Sequence, residues 1–148
     1  MEDLHLSDYH ALGQFRYQIR RFLHFSEDAA RAEGLEPQQH QMMLAIRAWR
    51  TPHTGPADPT IGDLAEHLLL KHHSAVGLVD RLTERGLVQR IRAGSDRRQV
   101  RVRLTPEGIE KLKRLSNVHL QELRASGPVL VSALSSLLHG WAANAPAR

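Results

Sequence analysis

One short basic segment limits what this chain can fold into more than any other part of the sequence. It covers residues 94–105 and reads GSDRRQVRVRLT. Because side chains alternate along a strand, three apolar side chains fall on one face of this segment, and Gln99, Arg101 and Arg103 fall on the other. A strand that buries one face and carries guanidinium groups on the other is suited to lie along a polyanion.

The residues before this strand predict a familiar order of elements. Residues 60–70 and about 72–85 have the apolar spacing of two short helices joined by a tight turn, and Gly86 ends the second helix. Residues 87–92 and 99–104 follow as the two strands of a hairpin. Helix, turn, helix and basic hairpin is the order of a winged helix-turn-helix, which is a DNA-binding module.

The remainder of the chain is predicted to be helical. The prolines and glycine of 51–59 indicate a loop, and Gly127-Pro128 is expected to interrupt the C-terminal helical region. Apolar stripes and end signals predict further helices over 7–33, 36–50, 105–126 and 129–141. The predicted fold class is therefore mainly α with a small β-wing. A winged helix-turn-helix core over 36–105 is flanked by N- and C-terminal dimerisation helices in 1–35 and 106–148.

The last predicted helix is apolar on more than one face. Its apolar side chains are Val129, Leu130, Val131, Leu134, Leu137, Leu138 and Trp141. So wide an apolar surface at a chain end is usually buried against a partner. The sequence therefore predicts a homodimer, the alternative being that this surface packs on its own chain.

Positive charge is concentrated in one part of the chain. Residues 71–103 hold nine Lys and Arg against three Asp and Glu, a net charge of +6, whereas the whole chain has a net charge of +4. Such a local excess is the pattern expected of a phosphate-binding face. The alternative is a basic hairpin that is merely solvated.

The composition excludes several other classes. The chain has no cysteine, so disulfides, thiol redox sensing and cysteine metal ligands are ruled out. It has no run of 18 apolar residues and no signal peptide, so a cytoplasmic protein without a membrane partner is expected. It also lacks a nucleophile elbow, a phosphate-cradling glycine loop and a spaced carboxylate pair, so neither an enzyme nor a cofactor is predicted.

At this point the sequence resembles a known family. Residues 60–108 are similar to the winged-helix core of the MarR family of bacterial transcription regulators. The resemblance is carried by Ile61-Gly62-Asp63-Leu64-Ala65, by Ser74-Ala75-Val76-Gly77-Leu78-Val79-Asp80-Arg81-Leu82-Thr83-Glu84-Arg85-Gly86-Leu87-Val88, by Asp96-Arg97-Arg98 and by Leu104-Thr105-Pro106-Glu107-Gly108. It implies a homodimer whose first and last helices interlock. It also implies binding to a palindromic operator on double-stranded DNA, usually as a repressor released by a small anionic or phenolic molecule.

The predicted recognition helix begins at about His72, and its N-terminal residues are expected to enter the major groove. His73 and Ser74 are candidates to contact base edges, whereas Lys71 and His72 are candidates for phosphate. Arg81 is a further candidate, although helix arginines often pair with acids such as Asp80 or Glu84. The two adjacent histidines point about 100° apart on a helix, so they are not expected to chelate one ion together.

In the predicted wing, Arg98 is the principal candidate. The family resemblance implies that this arginine reaches into the minor groove, where the negative potential is enhanced. Asp96 is interpreted as holding Arg98 or Arg81 in place, as a turn residue, or as both. Three more arginines are predicted to contact phosphate: Arg97, Arg101 and Arg103.

The effector site is the part of the protein about which the sequence gives the least information. The resemblance places it between the dimer helices and the winged core. The candidate lining residues are Phe15, Arg16, Arg20, His24, His40, Met43 and Trp49, each of which is also compatible with an ordinary core or surface role. The ten histidines raise the alternative of a metal-responsive regulator. No pair or triplet with metal-ligand spacing occurs, so no metal site is predicted.

Two further alternatives remain from the residues alone. A winged helix also serves as a protein-interaction module without specific DNA binding, but that use favours a neutral or apolar wing. An architectural DNA binder needs neither a dimer of fixed spacing nor an operator sequence. The sequence analysis favours a dimeric, ligand-responsive and sequence-specific transcription regulator over both.

Overall fold

The computed structural model describes residues 3–51, 55–92 and 99–144. Within them the fold is mainly helical with two small antiparallel hairpins, which confirms the predicted fold class. The elements in chain order are α1 (Leu6–Ala32), α2 (Pro37–Ala48), β1 (Arg50–Thr51), β2 (Gly55–Pro56), α3 (Ile61–His67), α4 (His72–Glu84), β3 (Val88–Arg92), β4 (Val100–Leu104) and α5 (Pro106–Asn144).

The chain forms two compact units. The first, here called the helical unit, consists of Met1–Ala29 and Asn117–Arg148, and the second, the winged unit, consists of Ala30–Ser116. Helices α1 and α5 each contribute to both units, because the divisions fall inside these helices. The winged unit therefore includes the end of α1 and the first turns of α5, in addition to residues 36–105.

The core of the winged unit is formed by the apolar faces of α2, α3 and α4 together with the hairpin β3–β4. Burial of a leucine or valine side chain contributes roughly 1.5–3 kcal/mol, so this core supplies most of the stability of the unit. The side chains with almost no accessible surface include Leu35, Met42, Met43, Leu64, Val79, Leu82, Leu87, Val88, Val102 and Leu115.

Helix α3 begins with a complete capping box. The hydroxyl of Thr60 accepts a hydrogen bond from the amide of Asp63 at 3.1 Å, and the Asp63 carboxylate accepts one from the amide of Thr60 at 2.8 Å. These two bonds satisfy amides that the first turn of a helix otherwise leaves unpaired. A tight turn then leads to α4, with Leu69 in the left-handed region at φ 54° and 94% exposed.

The wing is the antiparallel hairpin of β3 and β4, with Val88 opposite Leu104 and Arg92 opposite Val100. On its other edge β4 meets the segment before α3. The amide of Val102 donates to the carbonyl of Pro59 at 2.9 Å, and Thr60 forms a bridge with Arg101. Strand β4 is therefore held from both sides along its length.

A compact corner joins the wing to α5. The Thr105 hydroxyl donates to the carbonyl of Gly86 at 2.6 Å and accepts from the amide of Gly108 at 3.1 Å, so it caps α5 and binds the end of α4 at once. A Cβ atom added to Gly108 would lie 2.1 Å from the carbonyl oxygen of Leu87. The glycine of the sequence Leu-Thr-x-x-Gly thus lies where the start of α5 is in direct contact with the backbone of Leu87.

The helical unit is built from α1 and the second part of α5. His119 is buried there. Its Nε2 lies 2.7 Å from the Ser26 hydroxyl, and its ring meets those of Phe22 and Phe25 edge-on, with centroids 6.2 and 5.9 Å apart. Many apolar side chains of this unit are exposed, among them Leu6, Tyr9, Leu12, Leu23, Val118, Leu120, Val129, Val131, Leu134 and Leu138.

Two predicted boundaries were wrong. Helix α5 does not break at Gly127-Pro128 but continues from Pro106 to Asn144. Pro128 removes one helical hydrogen bond, yet α5 lines cavities together with α1 on both sides of this proline, through Leu123 and Leu130 and through Val129 and Leu137. The local penalty of the proline is thus not enough to end α5. Pro128 itself is exposed.

The other correction concerns residues 51–59, which are not entirely loop. Strands β1 and β2 pair there, with Arg50 opposite Pro56 and Thr51 opposite Gly55. A two-stranded ribbon has no central strand, so a proline is tolerated in it. Gly55 has φ 76°, a conformation that glycine adopts without steric cost.

Candidate nucleic-acid interface

Helix α4 contacts the first wing strand, and its N-terminal end is exposed. The buried face of α4 consists of Ala75, Leu78, Val79 and Leu82, which fixes the helix on α2, α3 and β3. Its first residues are exposed and polar, as the sequence analysis predicted: Lys71, His72 and His73 face solvent and Ser74 is half-buried. Lys71 is the N-cap and makes no side-chain cap hydrogen bond.

The uncapped start of α4 matters because the first amides of a helix carry partial positive charge. The amides of Ser74 and Ala75 donate to the carbonyl of Lys71, at 3.0 and 3.1 Å. No side chain takes the place of the acceptor that a serine or aspartate cap would supply. This end of the helix is therefore suited to a phosphate, in charge and in hydrogen bonding.

Arg81 lies one turn along α4 from Gly77 and folds back over it. A Cβ atom on Gly77 would be 3.3 Å from the Arg81 Nη1 atom. Gly77 thus leaves room for a guanidinium group on the exposed side of the helix. This contact was not foreseen from the sequence, although an i, i+4 spacing brings two residues onto the same face.

An ion pair joins α4 to the first wing strand. The Arg90 Nη2 atom in β3 lies 2.5 Å from the Asp80 Oδ1 atom in α4. Both side chains are partly exposed, at 35% and 49%. The expectation that Asp80 pairs with a neighbouring helix arginine is thus replaced by a contact between two different elements.

The second wing strand is tied to a residue that the sequence analysis missed. Asp58 accepts hydrogen bonds from Arg103 at its two carboxylate oxygens, from Nε at 3.0 Å and from Nη2 at 2.5 Å. The carbonyl of Asp58 accepts from the Arg101 Nη1 atom at 2.6 Å. The hydrogen bonds and the charge of Asp58 raise the pKa of Arg103 above its usual value. Asp58 lies 45 residues before Arg103 in a proline-rich stretch, and no local pattern links the two.

Arg85 also has a structural partner. Its Nη1 atom donates to the Oε1 atom of Gln39 at 2.9 Å, and the same oxygen accepts the amide of Glu36 at 3.0 Å. Gln39 is buried, and through these two hydrogen bonds it links the end of α4 to the start of α2.

Three predicted site residues, Asp96, Arg97 and Arg98, lie outside the described residues.

The predicted effector residues are divided between the two units. Four of them belong to the helical unit: Phe15, Arg16, Arg20 and His24. The Nδ1 atom of His24 lies 3.2 Å from the Oδ2 atom of Asp28. The other three, His40, Met43 and Trp49, belong to the winged unit.

Within the winged unit these three residues differ in their surroundings. Met43 is fully buried in the core, and His40 is buried. Trp49 packs edge-on against His67 at 5.7 Å and lines a cavity of about 270 Å³ that also contains Arg47 and Arg103.

Two searches of the described residues bear on the alternatives. No group of three or more His, Asp or Glu side chains in that part of the chain is placed to hold a metal ion. No helix in the described ranges is both long enough and apolar enough to cross a membrane.

Comparison with known proteins shows which family part of this chain resembles. The MarR family model matches residues 33–99. A curated relative, the HTH-type transcriptional regulator YsmB of Bacillus subtilis, is 41% identical over 51 residues, which cover 34% of this chain and 35% of that protein. The chain therefore matches only about a third of the length of this relative.

Solved structures share the fold over most of the chain. AbsC, a MarR family transcriptional regulator from Streptomyces coelicolor, has a TM-score of 0.71 at 19% identity, with 95% of this chain and 93% of AbsC covered. Wild-type MarR from E. coli in its apo form has a TM-score of 0.66 at 21% identity, with 95% and 98% covered. A mutant of S. aureus MepR bound to an oligodeoxyribonucleotide has a TM-score of 0.65 at 15% identity, with 85% and 94% covered.

The matched region coincides with the part of the chain that holds the capped α3, the exposed start of α4 and the first wing strand. Residues 33–99 are therefore similar to the MarR family, and the chain shares the winged-helix fold of the solved structures AbsC and MarR.

Proposed function

We propose that this protein is a homodimeric, sequence-specific DNA-binding regulator in which α4 reads the major groove. The observation that carries the proposal is the exposed, uncapped and cationic start of α4, in a unit whose wing strands are rich in arginine. Lys71 and His72 are proposed to contact phosphate, while His73 and Ser74 are one turn or less from the helix start and suited to base edges. Arg81, held over Gly77, extends this cationic surface along the helix.

The wing supplies the second contact of the proposed interface. Arg98 is proposed to reach the minor groove and Arg97 to contact phosphate, with Asp96 orienting one of these arginines. Arg101 and Arg103 keep unused N–H groups beyond those bound to Asp58, because a guanidinium has five donors. They remain candidates for phosphate, in an orientation that Asp58 sets.

The homodimer is proposed to form through the helical unit. The helical unit has exposed apolar side chains, such as Val131 with 63% and Leu138 with 57% of its surface accessible. Together they form an apolar surface whose exposure to water is unfavourable. A two-fold dimer also fits a palindromic operator, since its symmetry matches that of the two half-sites. The solved MepR complex with an oligodeoxyribonucleotide supports DNA as the partner.

Regulation is proposed to be repression that a small anionic or phenolic effector relieves. The cavity beside Trp49 is lined by apolar side chains, among them Ile46 and Leu104, and by the charged residues Arg47, Arg103 and Asp58. An apolar body with a few polar contacts is the usual composition of a small-molecule site. This part of the proposal is tested by adding candidate effectors to the protein–DNA complex.

The decisive experiment is a titration of the protein onto a labelled duplex from upstream of its own gene. A duplex of scrambled sequence serves as the control, and both are measured at two salt concentrations. Tight binding that depends on sequence and falls with salt supports the regulator. Equal binding to both duplexes favours an architectural role, and absence of binding to either favours a protein-interaction module.

A further inference from the structure

We propose that Asp58 and Asp80 are positioning residues for DNA binding, which anchor the two wing strands to the helix-turn-helix without touching DNA themselves. This inference rests on the proposed function, because it concerns how that interface is assembled. It assigns a role to two acidic side chains in a region, residues 58–103, that otherwise holds nine Lys and Arg and four Asp and Glu.

The first anchor holds β3 to α4. Asp80 is in the middle of α4, and its carboxylate binds the Arg90 guanidinium at 2.5 Å. Arg90 pairs across the hairpin with Val102, which is fully buried. The anchor therefore acts near the centre of the wing ladder, where a shift of β3 along α4 would also move β4.

The second anchor holds β4 to the segment before α3. Asp58 binds Arg103 through two carboxylate oxygens and Arg101 through its carbonyl, while Val102, between them, donates its amide to Pro59. Three successive residues of β4 are thus fixed on the segment that leads into the Thr60 capping box. The raised pKa of Arg103 agrees with a persistent ion pair.

Charge alone gives no reason for acids at these positions. A carboxylate near DNA is repelled by phosphate, and partly exposed ion pairs contribute little to folding stability. Orientation does give a reason. Helix α4 and the wing are two linked contact elements, and fixing one relative to the other before binding lowers the entropy that binding must lose.

The two explanations predict opposite signs. If the acids were only unfavourable neighbours of phosphate, their neutralisation would tighten DNA binding. If they position the wing, their neutralisation weakens binding although the net charge becomes more positive. Asp58→Asn and Asp80→Asn keep the size of each side chain and remove its charge. Glu110→Gln, at an exposed position of α5, is the matched control with the same change in charge.

The experiment measures the affinity of the full-length protein for its upstream duplex and for a scrambled duplex, together with hydroxyl-radical protection of the DNA. We expect Asp58→Asn and Asp80→Asn to weaken specific binding by roughly three- to tenfold each. Protection should be lost at the flanks of the site and kept at its major-groove centre. Glu110→Gln should bind as tightly as the wild type or more tightly.

A charge-exchanged variant guards against a simple folding defect. Asp80→Arg combined with Arg90→Asp restores the pair with reversed polarity and should recover most of the lost affinity and the flanking protection. If Asp58→Asn and Asp80→Asn bind like Glu110→Gln with an unchanged footprint, the positioning role is overturned while the proposed function stands. If the wild type does not distinguish the two duplexes, the proposed function fails, and this inference fails with it.

Discussion

Single atoms decide the geometry at the corner between the wing and α5. Gly108 has no room for a side chain, because its missing Cβ would meet the Leu87 carbonyl at 2.1 Å. Thr105 uses one hydroxyl for two hydrogen bonds, to Gly86 and from Gly108. The signature after the wing is therefore a steric and hydrogen-bonding requirement that is independent of DNA.

Gly108→Ala should destabilise the protein by about 1–3 kcal/mol or more, since the contact is with backbone that cannot rotate away. Urea denaturation followed by circular dichroism measures the change. Gly127→Ala in the same helix is the matched control, because nothing lies within 4 Å of the Cβ it would add. That variant should be neutral or up to about 1 kcal/mol more stable, as an alanine is in a helix interior. Equal stability of the two variants would contradict the steric reading of the corner.

Arg98→Ala is the corresponding residue-scale test of the proposed interface. If Arg98 makes a positioned groove contact, the variant should lose about 1–3 kcal/mol of operator-binding free energy. Fluorescence anisotropy with a labelled operator gives the affinity, and light scattering should give the same oligomeric mass as for the wild type. A variant that binds as well as the wild type removes Arg98 from the proposed site.

At the scale of elements, the local sequence pattern predicts some helices and strands correctly, whereas other features depend on tertiary contacts. The alternation of apolar and basic residues predicted β4, and apolar spacing with helix-end signals predicted helices that begin near residues 60 and 105, because each depends on neighbours within a few residues. The same local rules predicted a break at Pro128, where α5 in fact continues.

Two of the contacts that the sequence analysis missed share one cause. The pair Asp58 and Arg103 is separated by 45 residues, and Arg85 and Gln39 by 46. No periodicity within a helix or strand encodes such pairs, since they depend on how distant elements pack. Arg101 and Arg103 could be placed on the polar face of a strand from the sequence, but their acidic partner could not.

Pro128→Ala should stabilise α5. The alanine restores an amide that can donate to the carbonyl of Arg124 and removes the ring from an exposed helix position, a gain of up to about 3 kcal/mol. Thermal unfolding measures it as a rise in Tm. Pro106→Ala is the control, because Pro106 occupies the first position of α5, where its missing N–H costs nothing and the change should be small. A fall in Tm for Pro128→Ala would mean that the proline has a role in packing.

For the whole molecule, the two compact units suggest a division of labour between DNA contact and association. The cationic α4 and the wing belong to the winged unit, whereas most of the exposed large apolar side chains belong to the helical unit. Changes in the winged unit should therefore weaken DNA binding without altering association.

The double variant Val131→Glu with Leu138→Glu should prevent association, since it places two charges on the proposed contact surface. Analytical ultracentrifugation should give twice 16.7 kDa for the wild type and 16.7 kDa for the variant. Leu44→Glu, at an exposed apolar position of α2 in the winged unit, is the control and should leave the dimer intact. A variant that remains dimeric would place the association surface elsewhere.

The contact between Gly108 and Leu87 also limits how a chain of this kind can evolve. A mutation that gives position 108 a side chain is tolerated only after the start of β3 has moved, and a moved β3 alters the ladder that Val88 begins opposite Leu104. No single substitution achieves both changes. A lineage that loses this glycine must therefore pass through a poorly folded intermediate or change the start of β3 first. In its descendants, a side chain at position 108 would then occur together with altered residues at the start of β3.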